Sequence, residues 1–352
     1  MKQIHSDILQ FRGTHYDFGV WQGELLRDSL TVKNRAKQWK VRKPRFTVAE
    51  KEVKEAITRF APGVWEEMLG LRDALDWPMD RVMMEFGGYR TDYVRSGCSI
   101  VTGDNFLVRN YDYQPKTYEG RYVFFQPEGQ GYAIAGPTQR ITGRMDGMNE
   151  KGLVLGYNFM HRKSPGDGFI CCMIGRLVLE SCANVEEAAG MLKEIPHRHS
   201  FSYIVHDKSG KTFVVEASPR GVEVRESRMC TNHFEIMTHE NRHHLTDSHE
   251  RIQAIEEGNT DKAYDAFRVL NDTDKGVFSK KYKSWSGTIH TSAYLPGEMK
   301  TWFALGGDQE PAVFDFREWL KGNEIERQHV KGEVDTDMPF VHMDESAHFS
   351  KG

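Results

Sequence analysis

The sequence predicts an α+β fold in which two antiparallel sheets pack together and helices cover them from outside. Three observations carry this expectation. The first 97 residues hold mainly helical patterns, the stretch after Cys98 breaks into short strand-like runs separated by turn residues, and two helical segments then precede a second group of strands. At 352 residues, 39% hydrophobic and 28% charged, the chain has material for a large core and lacks the bias of a disordered one.

In chain order, residues 8–13 read as a short strand ended by Gly13, and Thr14 is placed to cap the helix that follows. The basic run Lys33, Arg35, Lys37, Lys40, Arg42, Lys43 and Arg45 reads as a solvated helix end or loop. Helical patterns occupy residues 47–60 and 62–76, the second with Pro62 in its first turn and Trp77-Pro78 at its end, and a short one spans 80–85. Two apolar runs, 96–101 and 106–112, flank Thr102-Gly103-Asp104-Asn105 as a β-hairpin. Strands are expected at 122–125, 132–135, 140–142 and 153–158, then helices at 169–182 and 185–194, the latter capped by Asn184. A second strand group at 202–206, 212–216 and 222–224 leads to helices at 247–257 and 261–270 and a closing strand pair at 288–294 and 301–305. From about residue 324 the polar, Gly/Asp-rich composition predicts a surface-wrapping or frayed tail.

A formal net charge of -4 without a dominant basic stripe argues against a nucleic-acid partner. The N-terminus has no long apolar segment behind it and no window approaches a membrane span, so a cytoplasmic protein without a membrane partner is expected. Five cysteines without framework spacing fit reduced thiols. Self-association into a homo-oligomer is left open.

The hairpin carries the chemistry. Cys98 opens its first strand, while Arg109 and Asp112 lie at the returning end of the second, so a thiol, a guanidinium and a carboxylate should converge. A cysteine beside an apolar strand is ordinarily a small hydrophobe, and an Arg and an Asp three residues apart are ordinarily a solvated pair. Together they differ, because a thiol becomes a nucleophile when a nearby positive charge or base favours the thiolate.

Gly97-Cys98 followed by a hairpin ending Arg109-Asn110-Tyr111-Asp112 resembles the nucleophile segment of the cysteine N-terminal nucleophile (Ntn) hydrolases. More closely, the chain resembles the penicillin acyltransferase-like (isopenicillin N acyltransferase-like) family, with choloylglycine hydrolases, penicillin V acylases and acid ceramidases as more distant relatives. Asn149-Glu150-Lys151-Gly152-Leu153 and Thr231-Asn232-His233 resemble further family segments. The resemblance implies a four-layer αββα sandwich and a precursor that cuts its own Gly97–Cys98 bond. Residues 1–97 would then be a largely helical leader that stays associated, and 98–352 the Ntn core. It further implies that Cys98 is the nucleophile, with its freed α-amino group as base, a role matched to an intrinsic pKa of about 8. Arg109 would stabilise the thiolate and Asp112 would hold the α-ammonium. Asn158 or Tyr157, through a backbone N–H, and Asn232, through its side-chain amide, would stabilise an oxyanion. Ser248 and Arg251, in a Ser-x-x-Arg pattern, would help position substrate. The substrate would be a small-molecule amide or acyl thioester, with acyl transfer to water or an amine and neither cofactor nor metal.

Two other readings compete. His239-Glu240-Asn241-Arg242-His243 matches the His-Glu-x-x-His zinc pattern, which needs both histidines one helical turn apart, yet Arg242, His244 and Asp247 give it polar surroundings. Alternatively the scaffold is kept, uncut, as a binding protein. Cys171-Cys172 reads as core, His197 and His199 as exposed loop residues, and Tyr93, Tyr113, Phe125 and Trp285 as aromatic core in preference to the lining of an acyl pocket.

Overall fold

A computed structural model describes residues 1–41, 48–93, 96–161 and 164–343. The chain opens with β1 (Lys2–Gly13) and five helices, α1 (His15–Leu26), α2 (Leu30–Val41), α3 (Glu50–Thr58), α4 (Pro62–Leu75) and α5 (Met79–Phe86). Thr14 caps α1 by accepting from the Asp17 N–H, which satisfies one of the helix's orphan donors. The hairpin is β2 (Gly97–Thr102) and β3 (Leu107–Tyr113); a meander follows with β4 (Arg121–Pro127), β5 (Ile134–Gln139), β6 (Gly143–Arg144), β7 (Asp146–Asn149) and β8 (Val154–His161). Next come α6 (Cys171–Ser181) and α7 (Val185–Glu194), the latter capped by Asn184 as its sequence signals. The rest comprises β9 (Ser200–His206), β10 (Thr212–Ser218), β11 (Gly221–Glu226), β12 (Met229–Cys230), α8 (Thr246–Glu257), α9 (Ala263–Asn271), β13 (Lys280–Lys281), β14 (Ser286–Leu295), β15 (Lys300–Leu305), β16 (Ala312–Asp315), α10 (Phe316–Leu320) and β17 (His329–Val334).

Ten strands make one sheet, in the order β11-β10-β9-β8-β7-β5-β4-β1-β17 with β6 on β5, and seven make the other, β12-β2-β3-β14-β15-β16 with β13 on β14. The two sheets face each other across the main core, where Cys98, Ile100 and Tyr111 of the smaller sheet meet Leu155 and Tyr157 of the larger. A second core, including Val101, Val108, Ile255, Phe267 and Leu270, fastens α8 and α9 to the outer face of the smaller sheet. On the outer face of the larger sheet, Phe18 of α1 stacks on Phe125 of β4 with ring centroids 4.0 Å apart. The order helix, sheet, sheet, helix is the expected αββα sandwich.

The first 97 residues are built into this body. β1 lies between β4, to which it runs parallel, and the edge strand β17. Helices α1 and α4 cross so closely that a Cβ on Gly19 would meet the Glu67 carbonyl oxygen at 2.0 Å and one on Gly70 the Tyr16 carbonyl oxygen at 2.1 Å. Beneath them runs a buried polar network. His15 pairs with Glu180, Gln22 donates to Glu67 at 2.6 Å, and Arg176 Nη2 reaches Glu67 at 2.7 Å.

Several expectations are corrected. Residues 140–142 form a turn, because Arg140 and Ile141 adopt left-handed φ values of 57° and 67° that no strand accommodates. The polar tail contributes β17, held by β1, so its backbone hydrogen bonds override its composition. The opening strand starts at Lys2 and the basic run starts on α2, where Arg35 bridges Glu85 and Glu119; residues 42–47 of that run lie outside the described residues. His197 and His199 are buried, His197 Nε2 lying 2.8 Å from the Leu192 carbonyl oxygen. Tyr93, Tyr113 and Phe125 are core, whereas Trp285 is 38% exposed, at a left-handed turn residue.

Candidate active site

The hairpin register sets Gly97 opposite Asp112, Cys98 opposite Tyr111 and Ile100 opposite Arg109. Strand alternation therefore sends Cys98 and Arg109 toward the larger sheet, and Asp112 to the other face. Both still reach Cys98, from opposite sides. Arg109 Nη2 lies 3.6 Å from the sulfur, and Asp112, whose backbone oxygen is 3.9 Å from Sγ, turns its carboxylate toward Gly97. A Cβ built on Gly97 would stand 3.5 Å from Asp112 Oδ2 and 3.7 Å from Asn232 Oδ1, so the two oxygens flank the Gly97–Cys98 bond.

Asn232 comes from the loop after β12. Its Oδ1 accepts from the Cys98 N–H at 2.9 Å and from Arg251 Nη2 at 2.8 Å, while its Nδ2 donates to the Phe159 carbonyl at 2.7 Å. That leaves one Nδ2 hydrogen unassigned. Helix α8 fixes the loop: Ser248 Oγ accepts from the Asn232 N–H at 2.8 Å, and Arg251 Nη1 donates to the Cys98 carbonyl at 2.7 Å and to Ser99 Oγ at 2.8 Å. Ser248 and Arg251, expected beside substrate, thus hold Asn232 and the strand that carries Cys98. Tyr157 and Asn158 sit on β8, the former accepting from Arg109 through its carbonyl at 2.6 Å, the latter donating to the Cys230 carbonyl at 2.8 Å with a buried Oδ1 that has no hydrogen-bond partner.

Burial dominates the electrostatics. Cys98 is 1% exposed, and desolvation pushes its thiol up to about 11 although Arg109 pulls the other way. Asp112 is pushed up to about 7 by burial, against the pull of Arg251 and the Thr288 hydroxyl that donates to Oδ1 at 2.7 Å; its Oδ2 is buried with no hydrogen-bond partner. For Arg109, burial opposes the charge but Cys98 and Asp146 outweigh it, leaving the guanidinium firmly charged.

Sequence reasoning missed Thr288, Asp146, His290 and Tyr294, all buried around these groups. A signal was present. Residues 286–295 of β14 carry a run of hydroxyl and imidazole side chains in a strand with almost no exposed position, which demands an interior polar network. The zinc pattern dissolves: Thr238–Glu240 is a single 3-10 turn, Asn241 is extended, and Glu240 is held bidentately by Arg220 at 2.5 Å. Among the described residues no three His, Cys, Asp or Glu side chains are grouped to hold a metal ion, and no helix is long and apolar enough to cross a membrane.

Among solved structures the fold is similar to penicillin V acylase from Agrobacterium tumefaciens, with 16% identity, 62% of this chain and 84% of that one covered, and a TM-score of 0.39. It is also similar to a mutant of conjugated bile acid hydrolase from Clostridium perfringens (17%, 70% and 91%, TM-score 0.42). The Caenorhabditis elegans N-acylethanolamine-hydrolyzing acid amidase ortholog gives 15%, 57% and 93%, with a TM-score of 0.41. No curated protein matches the sequence. Residues 101–310, more than half of the chain and including Arg109, Asp112, Asn232 and Arg251, match the family described as acyl-coenzyme A:6-aminopenicillanic acid acyl-transferase. With that match over the strands and helices that enclose Cys98, the chain belongs to the acyl-coenzyme A:6-aminopenicillanic acid acyl-transferase family.

Proposed function

We propose that this chain is a precursor that cuts its own Gly97–Cys98 bond, after which Cys98 is the N-terminal nucleophile of an amidohydrolase or acyltransferase. The observation that carries the reading is the placement of Cys98, with Arg109 Nη2 3.6 Å from its sulfur and Asn232 Oδ1 2.9 Å from its amide nitrogen. In the cut, Sγ adds to the Gly97 carbonyl carbon, the C–N bond breaks, and the thiol proton passes to the departing nitrogen. Water then hydrolyses the thioester, leaving a Gly97 carboxylate and a Cys98 thiol beside its own amine. Asp112 Oδ2, which has no hydrogen-bond partner, and Asn232 Oδ1, which already accepts from the Cys98 nitrogen, suit the new ammonium.

In turnover the amine takes the thiol proton, the thiolate attacks an acyl carbonyl, the leaving amine or thiol departs with that proton, and water or an amine then takes the acyl group from sulfur, returning its proton to restore the thiol. Arg109 stabilises the thiolate and the free Nδ2 hydrogen of Asn232, with a β8 backbone N–H at Tyr157 or Asn158, stabilises the oxyanion. Ser248 and Arg251 act as positioning residues. The family's name describes passing an acyl group from a thioester to an amine with release of the thiol, which supports a linear amide or acyl thioester as substrate. Burial of the uncut thiol supports a precursor whose sulfur meets no outside acyl substrate until the chain is cut. The place of β1 inside the larger sheet supports residues 1–97 remaining bound as a leader to 98–352. Five free, buried cysteines support a cytoplasmic location.

Intact mass and a denaturing gel test the cut: fragments starting at Met1 and Cys98 are expected, with Cys98→Ala staying whole. A panel of amides and acyl thioesters tests the chemistry. A single 40.6 kDa species that Cys98→Ala leaves unchanged, with no turnover that depends on Cys98, overturns the reading.

A further inference from the structure

Arg109 uses four of its five N–H groups. Nη1 donates to the Met145 carbonyl at 2.7 Å and to Asp146 Oδ2 at 2.5 Å, and Nη2 donates to the Tyr157 carbonyl at 2.6 Å and to Cys98 Sγ at 3.6 Å. Because the guanidinium is a rigid planar fork, fixing three of these bonds fixes where the fourth points. The three anchors all belong to the larger sheet and the segment leading into it, while the target belongs to the smaller. Only one anchor is charged. Asp146 is fully buried and is the ion-pair partner of Arg109. It is aimed in turn by β14, where the Tyr294 hydroxyl donates to Oδ1 and His290 Nε2 lies 3.5 Å from Oδ2. Burial pushes the carboxyl up, but the His290 hydrogen bond and Arg109 more than offset that and hold it down at about 2, so it is a carboxylate at neutral pH.

We infer that Asp146 is a positioning residue for the nucleophile: from the opposite sheet it holds the Arg109 fork so that one N–H is directed at the Cys98 sulfur. The inference rests on the reading of Cys98 as the reactive thiol. The charged and titratable groups that face this cluster are Arg109, Tyr111 and Asp112 on β3, Tyr157 on β8, His290 and Tyr294 on β14, Arg251 on α8, Cys171 on α6, Tyr93 ahead of β2, and Tyr118 and Tyr122.

Asp146→Asn preserves size and removes the charge, and its two consequences have opposite signs. Deleting a nearby negative charge makes the thiol more acidic, whereas releasing Arg109 makes it less acidic. The alkylation rate of Cys98 with iodoacetamide over a pH series, read by mass spectrometry on the peptide that contains Cys98, separates them. The expected result is a rise in the apparent thiol pKa by about one unit, with kcat lower by about tenfold to a hundredfold and KM within about twofold. In an Arg109→Gln background only the direct charge effect is left, so Asp146→Asn should no longer raise the thiol pKa and should change kcat by no more than about twofold. Tyr294→Phe, a milder change, should shift the pKa in the same direction by less. A fall or no change in the thiol pKa of either single variant, or additive losses in the double variant, overturns the inference. The alkylation readout needs no turnover, so it stands or falls separately from the proposed reaction, which Cys98→Ala tests.

Discussion

Gly156→Ala offers a direct test of how sheet packing sets the chemistry. Gly156 lies on β8, paired with Asp146 and Ile204, directly under the Arg109 side chain. A Cβ there would stand 2.9 Å from Ile100 Cδ1, 3.1 Å from Arg109 Cδ and 3.6 Å from Arg109 Nε. Ordinary contact begins at about 3.4 Å, so Ile100 must retreat by about 0.5 Å and the Arg109 stem by about 0.3 Å. Ile100 can rotate its terminal methyl. Arg109 cannot yield freely, because its head is anchored by Met145, Asp146 and Tyr157, so the stem's displacement passes into the Nη2–Sγ contact. Overpacking of this size costs on the order of 1–3 kcal/mol of stability. If a misplacement of about 1 Å costs about a hundredfold in rate, one of a third to a half of that costs roughly five- to tenfold. The assay is the rate of the proposed self-cut and of the proposed turnover, alongside thermal unfolding. Gly190→Ala, on the exposed side of α7 with nothing within 4 Å of its Cβ, is the matched control. A Gly156→Ala protein that unfolds at a lower temperature yet cuts and turns over at the wild-type rate would refute the claim that this contact aims Arg109.

Other outcomes follow from the same geometry. Gly190→Ala should itself raise stability by about 0.5–1 kcal/mol, because alanine loses less backbone freedom in a helix, and chemical denaturation will show it. Asp112, pushed up to about 7, binds its proton more tightly folded than unfolded, so the uncut chain, studied as Cys98→Ala to block the proposed cut, should lose stability as pH rises from about 4 to about 7. The loss is on the order of 4 kcal/mol, and adding Asp112→Asn should flatten that part of the urea-denaturation profile. Arg144 is fully buried and pushed down to about 9 by burial, with Nε and Nη2 lacking a hydrogen-bond partner and no carboxylate within ion-pair distance among the described residues. Arg144→Met should therefore be neutral or stabilising, by up to about 4 kcal/mol, and a melting temperature clearly below wild type would contradict that accounting.

The parts of the fold that were legible in the sequence are those settled locally. Thr14 and Asn184 announce their helices because a cap is a contact across three residues, and the Gly103-Asp104-Asn105 turn announces the hairpin for the same reason. What composition could not reveal is pairing over long distances. His329–Val334 looks like a tail, yet it is a strand because β1, at the far end of the chain, supplies its hydrogen bonds. Arg140-Ile141-Thr142 has strand-forming side chains, but the Ile141 N–H is required by Glu119 and the Thr142 hydroxyl by the Phe86 carbonyl, and only a turn presents both. The site divides likewise. Cys98, Arg109 and Asp112 lie on one hairpin, so their meeting follows from a register. Asp146 and Thr288 join them from other strands, and nothing in their local sequence ties them to Cys98.

One consequence of the position of β1 concerns any attempt to bypass the proposed cut. A gene that begins at codon 98 could deliver Cys98 as the first residue of its product, but that polypeptide would lack the strand that joins β4 to β17. Two raw edges would face water, each an invitation to aggregate. Supplying residues 1–97 as a separate peptide during refolding is then the way to regain a whole sheet, and the two genes together would form a split enzyme whose halves meet through backbone hydrogen bonds.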